Sequence, residues 1–248
     1  MQACEDEIDD GIPGPEPGSG FEFQLVSSGA AHSCGITTDS ELLCWGEGDD
    51  GRLGNGLIQD RLFPIRVTAD LSFVRASAGA RHTCAITAEA ALYCWGAAEG
   101  GRLGTGDEQE RLSPARVAQG LGFVQVSAGA EHTCGITEEG ALFCWGEGEG
   151  GRLGTGTEEE RLVPARVAGG SSFLDVAAGA EHTCAVRADD ILLCWGRGAR
   201  GRLGTGTEED RLVPQPVSLE RAFRSVTVGS LHTCAVDLDG VAWCWGAG

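Results

Sequence analysis

The chain contains no lysine; all 18 of its basic residues are arginine. That excludes Schiff-base chemistry and a lysine-dependent phosphate loop. Positive charge is scarce altogether. The formal net charge of −19 sets up a field that repels phosphate backbones and anionic membranes, so nucleic acid is not expected as a partner. No apolar run approaches the ~18 residues of a transmembrane helix. Amphipathic helical periodicity is missing over any useful length. A C-x-x-C pair at a helix start, the arrangement used for thiol redox catalysis, does not occur either. What remains in excess is glycine, at 40 residues roughly twice the usual share, and cysteine, at 11. Such a cysteine count means disulfides in an oxidising compartment or metal sites in a reducing one.

Ten of the cysteines obey a period of 50 residues. His32, His82, His132, His182 and His232 account for every histidine. Each is followed two residues later by Cys34, Cys84, Cys134, Cys184 or Cys234, and then by Cys44, Cys94, Cys144, Cys194 or Cys244. Trp45, Trp95, Trp145, Trp195 and Trp245 follow the second cysteines. GRLG occurs four times, starting at Gly51, Gly101, Gly151 and Gly201, and Pro64, Pro114, Pro164 and Pro214 come after it. A repeat of this length belongs to solenoids, propellers or arrays, in which no unit buries its faces alone. The third repeat divides into four short strands, FVQVS, HTCGIT, ALFCWG and an edge-like PARV that starts on proline. The expected fold is all-β: a β-propeller of four-stranded blades with about five repeats. The last repeat is incomplete, which leaves a fragment, an open ring or an unconventional closure.

The hairpin geometry addresses the cysteines. With Glu138–Gly140 as a three-residue loop and glycine in the left-handed position, Cys134 faces Cys144, Ile136 faces Leu142 and His132 faces Gly146. Opposed Cβ atoms in such a pair lie about 4.5–5.5 Å apart, near disulfide distance. The register therefore predicts bridges Cys34–Cys44, Cys84–Cys94, Cys134–Cys144, Cys184–Cys194 and Cys234–Cys244, each stabilising by about 3 kcal/mol in the chain-entropy model. Ser40, Ala90 and Asp190 stand where the third repeat has its loop glycine, so the turn type rests on fewer repeats than the register does.

The unit FVQVSAGAEHTCGITEEGALFCWGEGEGGRLGTG followed by PARV resembles the regulator-of-chromosome-condensation repeat family over residues 21–248. The resemblance implies a propeller of four-stranded blades, commonly seven. Members of that family include nucleotide exchange factors, chromatin binders, photoreceptors and secreted bacterial inhibitors, so it implies no single function. The paired cysteines resemble the variant found in exported bacterial members.

Residues 1–20 are acidic and rich in Pro and Gly, and read as a disordered linker. Cys4 follows a small residue, as at a lipoprotein cleavage site. It is a lipidation candidate, with an ordinary free cysteine as the alternative; no signal peptide is visible before it.

A zinc site from His132, Cys134 and Cys144 is disfavoured, because H-x-C spacing is atypical and no fourth ligand stands beside it. Five equivalent thiols also argue against a single activated nucleophile. The histidine is expected as a packed ring hydrogen-bonded to a neighbouring blade's backbone. Arg52, Arg102, Arg152 and Arg202 of GRLG are expected to hold a loop, through a carboxylate. The acidic runs Glu158–Glu160 and Glu208–Asp210 read as solvated surface.

Binding residues are sought where the repeats differ, since shared positions serve the shared fold. The loops after each WG carry Glu47, Asp49 and Asp50, then Glu99, then Glu147 and Glu149, then Arg197 and Arg200. The residue before each histidine is Ala31, Arg81, Glu131, Glu181 or Leu231. In a ring these positions fall on one rim, where charge is expected to swing from acidic to basic. The expected function is a non-catalytic, extracytoplasmic scaffold, secreted or lipid-anchored, that needs no cofactor and no metal and binds a protein partner. The alternative is a guanine nucleotide exchange factor or intracellular regulator of the same family.

Overall fold

The computed structural model describes residues 20–170 and 172–247. Residues 1–19, including Cys4 and nearly all of the expected linker, lie outside the described part, as do Ser171 and Gly248. The first blade consists of β1 (Phe23–Ser28), β2 (His32–Thr37), β3 (Leu42–Gly46) and β4 (Arg61–Arg66). The second comprises β5 (Phe73–Ala78), β6 (His82–Thr87), β7 (Leu92–Gly96) and β8 (Arg111–Arg116). The third comprises β9 (Phe123–Ala128), β10 (His132–Thr137), β11 (Leu142–Gly146) and β12 (Arg161–Arg166). The fourth runs through β13 (Phe173–Ala178), β14 (His182–Arg187), β15 (Leu192–Gly196) and β16 (Arg211–Pro216). The fifth has three strands: β17 (Phe223–Val228), β18 (His232–Asp237) and β19 (Ala242–Gly246). Each sheet is antiparallel and ordered as in the sequence, so the chain is a five-bladed propeller repeat with an incomplete last blade.

The hairpin register is the one that the three-residue loop dictates. His132 pairs with Gly146, Cys134 with Cys144 and Ile136 with Leu142. Gly140 takes φ +76°, and Ser40, Ala90 and Asp190 adopt the same left-handed conformation at φ +64°, +61° and +64°. One turn thus serves every repeat, whether or not its residue is glycine. The fourth strand differs from expectation. It begins at Arg161, three residues before Pro164, so the proline lies inside the strand. This is tolerated because β12 pairs only with β11 and is an edge, where a missing N–H costs no ladder bond.

The core lies between blades. Cys84, Ile86, Leu92, Cys94, Leu103 and Val117 of the second blade meet Phe123, Val126 and Trp145 of the third. The disulfide face of one sheet therefore covers the tryptophan face of the next, and the other adjacent pairs repeat this. Both faces of β6 and β10 are covered, and every residue in them is buried. Among the described residues the first and fifth blades are each covered on one face only. Val26 is 54% exposed where Val126 and Val176 are 9% and 3% exposed, and His232 is exposed where His82, His132 and His182 are fully buried.

Five disulfides join the opposed cysteines, with Cα–Cα separations of 4.1 Å. Their settings are unequal. The first four lie fully buried between blades, whereas Cys234 is half-buried and Cys244 exposed on the open face of the fifth.

Candidate functional site

Each junction between blades is closed by one polar clamp. At the junction of the second and third blades, Thr133 Oγ1 donates to the Arg102 carbonyl at 2.8 Å. Trp145 Nε1 donates to the same oxygen at 3.1 Å. His82 Nε2 lies 2.8 Å from Thr133 Oγ1. The threonine has one proton and gives it to Arg102, so His82 must carry its hydrogen on Nε2 and donate it. The same arrangement joins His32 with Thr83, His132 with Thr183, and His182 with Thr233, at 2.7, 2.8 and 2.9 Å. The histidine's partner is therefore a side-chain hydroxyl and not the backbone. A hydroxyl can accept from the ring and donate onward, linking three elements where a carbonyl would link two. The cysteines of the considered His–Cys–Cys ligand set are consumed by their own bridge.

Nδ1 of His32, His82, His132 and His182 is buried without a hydrogen-bond partner. Protonating it would place a cation in an apolar slot beside an arginine. Burial, and then the charge of Arg52, pushes the His32 pKa down to about 4. Burial with Arg102 and His32 brings His82 to about 3, and burial with Arg202 and His232 does the same for His182. His132 is held well below its ordinary value, by burial first and by Arg152 second. These are neutral structural rings.

The GRLG arginines lie under the rim. Arg152 Nε donates to the Glu149 carbonyl at 2.9 Å within its own turn. Its guanidinium also reaches the Ala180 carbonyl of the next blade at 3.4 Å and Glu131 at 3.2 Å. Arg52 pairs with Glu47 and Asp50 at 2.9 and 3.0 Å, and Arg202 with Glu181 at 2.8 Å. Arg102 lies 3.7 Å from Glu99. The expected loop-holding role through a carboxylate is present, and a bond across the blade junction adds to it. One glycine of the motif is forced by packing. A Cβ on Gly104, at φ +72°, would fall 2.6 Å from Trp145 Nε1.

The variable rim residues come together above this layer. Arg81 binds Asp50 of the preceding blade at 2.9 Å and lies 3.7 Å from Glu99. Arg197 pairs with Glu149 of the preceding blade and lies 3.5 Å from Glu181. Burial alone would raise the Asp50 pKa, but hydrogen bonds from Arg81 and Arg52 outweigh it and hold the carboxyl low. The expected swing to basic charge is thus largely cancelled. Arg81 and Arg197 are spent on carboxylates, and Arg200, exposed at φ +63°, makes no ion pair among the described residues. The outward charge is carboxylate: Glu99, Glu131 and Glu149 are 50–61% exposed, while the arginines beneath are 2–6% exposed. Glu147 lies half-buried against Gly100, Asp49 is exposed, and Leu231 is half-buried. The missed residues are Thr83, Thr133, Thr183 and Thr233, whose signal was the recurrent H-T-C.

The sequence matches the RCC1-like domain over residues 5–248, and the chain belongs to that family. It is 44% identical over 50 residues to the ultraviolet-B receptor UVR8 of Arabidopsis thaliana, a stretch covering 20% of this chain and 11% of UVR8. Human WBSCR16 is similar in structure, with a TM-score of 0.79 at 23% identity over 89% of this chain and 61% of that one. Prp20p of Saccharomyces cerevisiae, described with its binding properties to Gsp1p and histones, gives 0.77 at 22% identity over 86% and 55%. The chain spans only part of the length of each. At these identities the structural likeness carries the fold and nothing finer.

Proposed function

We propose that this protein is a non-catalytic scaffold that acts outside the cytoplasm and binds a protein partner through its carboxylate-faced rim. The observation that carries the reading is the convergence of repeat-variable residues from adjacent blades, Asp50 with Arg81 and Glu149 with Arg197, on one rigidly clamped surface. Shared positions are spent on the clamp, and the residues free to differ stand outward. Five disulfides support an oxidising compartment. The partner's matching surface is basic and rich in arginine, since carboxylates favour bidentate guanidinium contacts. In the same reading residues 1–20 act as the tether and Cys4 as its lipid attachment point, which intact mass of the exported protein and of a Cys4→Ala variant would check.

The test is crosslinked capture from the extracytoplasmic fraction, with the native chain and with Glu99→Gln, Glu147→Gln and Glu149→Gln combined. Loss of a partner from the variant, with the fold retained by circular dichroism, supports the rim. Equal capture by both proteins rejects it. Guanine nucleotide exchange or intracellular regulation is the second reading, favoured by the structural likeness to Prp20p. Recovery of a GTPase whose nucleotide release this chain accelerates would put that reading first.

A further inference from the structure

Asn55 is the only asparagine in the chain, and Gly56 follows it. Thr105, Thr155 and Thr205 stand at the same position in the next three repeats. The asparagine side chain is turned onto its own backbone: Leu57 N–H donates to Asn55 Oδ1 at 3.1 Å, an Asx turn. Its Nδ2 is buried without a hydrogen-bond partner. The side-chain amide thus has its oxygen held and polarised while its nitrogen is left uncompensated. Beside it Gly56 takes φ +82°, and a Cβ there would meet only Ser113 Oγ, at 3.8 Å. The backbone nitrogen next to the amide therefore sits on a residue with no side chain and with room around it.

One contact restrains that nitrogen. Gly56 N–H donates to the carbonyl of Leu112, in β8 of the second blade, at 2.9 Å. Gly106 and Gly156 make the same bond to Leu162 and Leu212, each at 2.9 Å. Leu112 also lies across the Gly51 turn, where a Cβ would fall 2.5 Å from its Cδ2. The restraint is common to three junctions, but a side-chain amide for the nitrogen to attack stands at one. Every group involved belongs to the described junction of the first and second blades.

We propose that Asn55 is a self-modification site gated by the Leu112 carbonyl. When β8 opens locally, Gly56 N–H gives its proton to hydroxide and the nitrogen attacks Asn55 Cγ. Negative charge gathers on Oδ1, where Leu57 N–H stabilises it. The N–Cγ bond forms, the Cγ–Nδ2 bond breaks, and the nitrogen leaves as ammonia after taking a proton from water. Water then opens the cyclic imide at either carbonyl, giving aspartate or isoaspartate. The sum is amide plus water to carboxylate plus ammonia, with no change of oxidation state. Aspartate puts a carboxylate where Nδ2 was buried, and isoaspartate lengthens the backbone by a methylene. Either change strains the Gly56–Leu112 bond, so the reaction loosens one blade junction and no other. The site is separate from the rim and does not depend on the rim's function.

The experiment incubates the full chain, disulfides intact, at mildly alkaline pH, beside the same chain unfolded in denaturant. Peptide mapping by mass spectrometry follows the exchange of NH for O at residue 55, with aspartate and isoaspartate separated. The folded chain should convert at Asn55 roughly tenfold more slowly than the unfolded one, the effect of one net hydrogen bond. Leu112→Ala should speed conversion of the folded chain several-fold. Denaturant below the unfolding transition should raise the rate in step with amide exchange at Gly56. The modified protein should separate as a more acidic species in which Gly56 has lost exchange protection. An Asn55 intact in the folded protein long after the unfolded chain has converted, equal rates in the two, or a rate that ignores Gly56 exchange would overturn the proposal. The exchange comparison keeps the test decisive even if Leu112→Ala folds poorly.

Discussion

Acidification between pH 6.5 and 5 should destabilise this protein steeply, in a range where few carboxylates have begun to titrate. Four histidines cause it. In the unfolded chain each has a pKa of about 6.5. In the fold His32 is lowered to about 4, and His82 and His182 to about 3, while His132 is lowered well below its ordinary value. Below pH 6.5 the unfolded state therefore binds protons that the folded state refuses. Their full contribution to stability is present above pH 6.5, and it falls with pH until the folded pKa is reached. At pH 5 His32, His82 and His182 have each lost about 2 kcal/mol. Those three together lose about 6 kcal/mol, comparable with the whole stability of an ordinary domain, and His132 adds to the loss in the same direction. The carboxyls held low by arginine, such as Asp50, act in the same direction but begin only near their unfolded pKa of about 4.

The assay is denaturant unfolding with disulfides intact, followed by tryptophan fluorescence at pH 7.5, 6.5, 5.5 and 5.0. His132→Gln should destabilise at every pH, yet shrink the loss between pH 7.5 and 5.0, because one of the four linked protons is gone. The slope separates proton linkage from mere packing damage. A stability flat from pH 7.5 to 5.0 would refute the neutral-ring reading, as would a slope unchanged by His132→Gln.

Other outcomes follow from the same geometry. Mild reduction of the native protein, with alkylation and peptide mapping, should label Cys234 and Cys244 before the eight interfacial cysteines, because among the described residues only that bridge meets solvent. Labelling spread evenly over the five pairs would contradict the buried placement. Thr183→Val removes the clamp hydroxyl between His132 and the Arg152 carbonyl and should cost about 1–3 kcal/mol in chemical denaturation, since a buried donor is left unpaired. Ala90→Gly should stabilise by up to about 1 kcal/mol through relief of a left-handed turn position, read as a raised unfolding midpoint. Gly104→Ala should lower that midpoint, because its Cβ collides with Trp145.

What could be read along the chain was the hairpin carried within one repeat, while the fourth strand was read three residues too late. The spacing of Cys134 and Cys144 fixed a register because a strand has period two and the loop three residues. Even Ser40, Ala90 and Asp190, which lack the loop glycine, adopt the same left-handed turn between their strands. What could not be read lies between repeats. His82 acts through Thr133, 51 residues away, and Trp145 through the carbonyl of Arg102, 43 residues away. Neither distance is the 50-residue period, so aligning the copies conceals the contact instead of displaying it. The rim shows the same limit for charge. Arg81 and Arg197 looked like free basic positions because their pairing carboxylates, Asp50 and Glu149, sit in other repeats. Repetition also hides the ends. Cys244 matches its copies in sequence, yet its bridge is exposed because no following blade covers that face among the described residues. In a repeat protein a residue's chemistry is thus set by its place in the stack as much as by its place in the motif. The accessible disulfide of this one accordingly falls on the last blade described, where the motif is unchanged and only its neighbours differ.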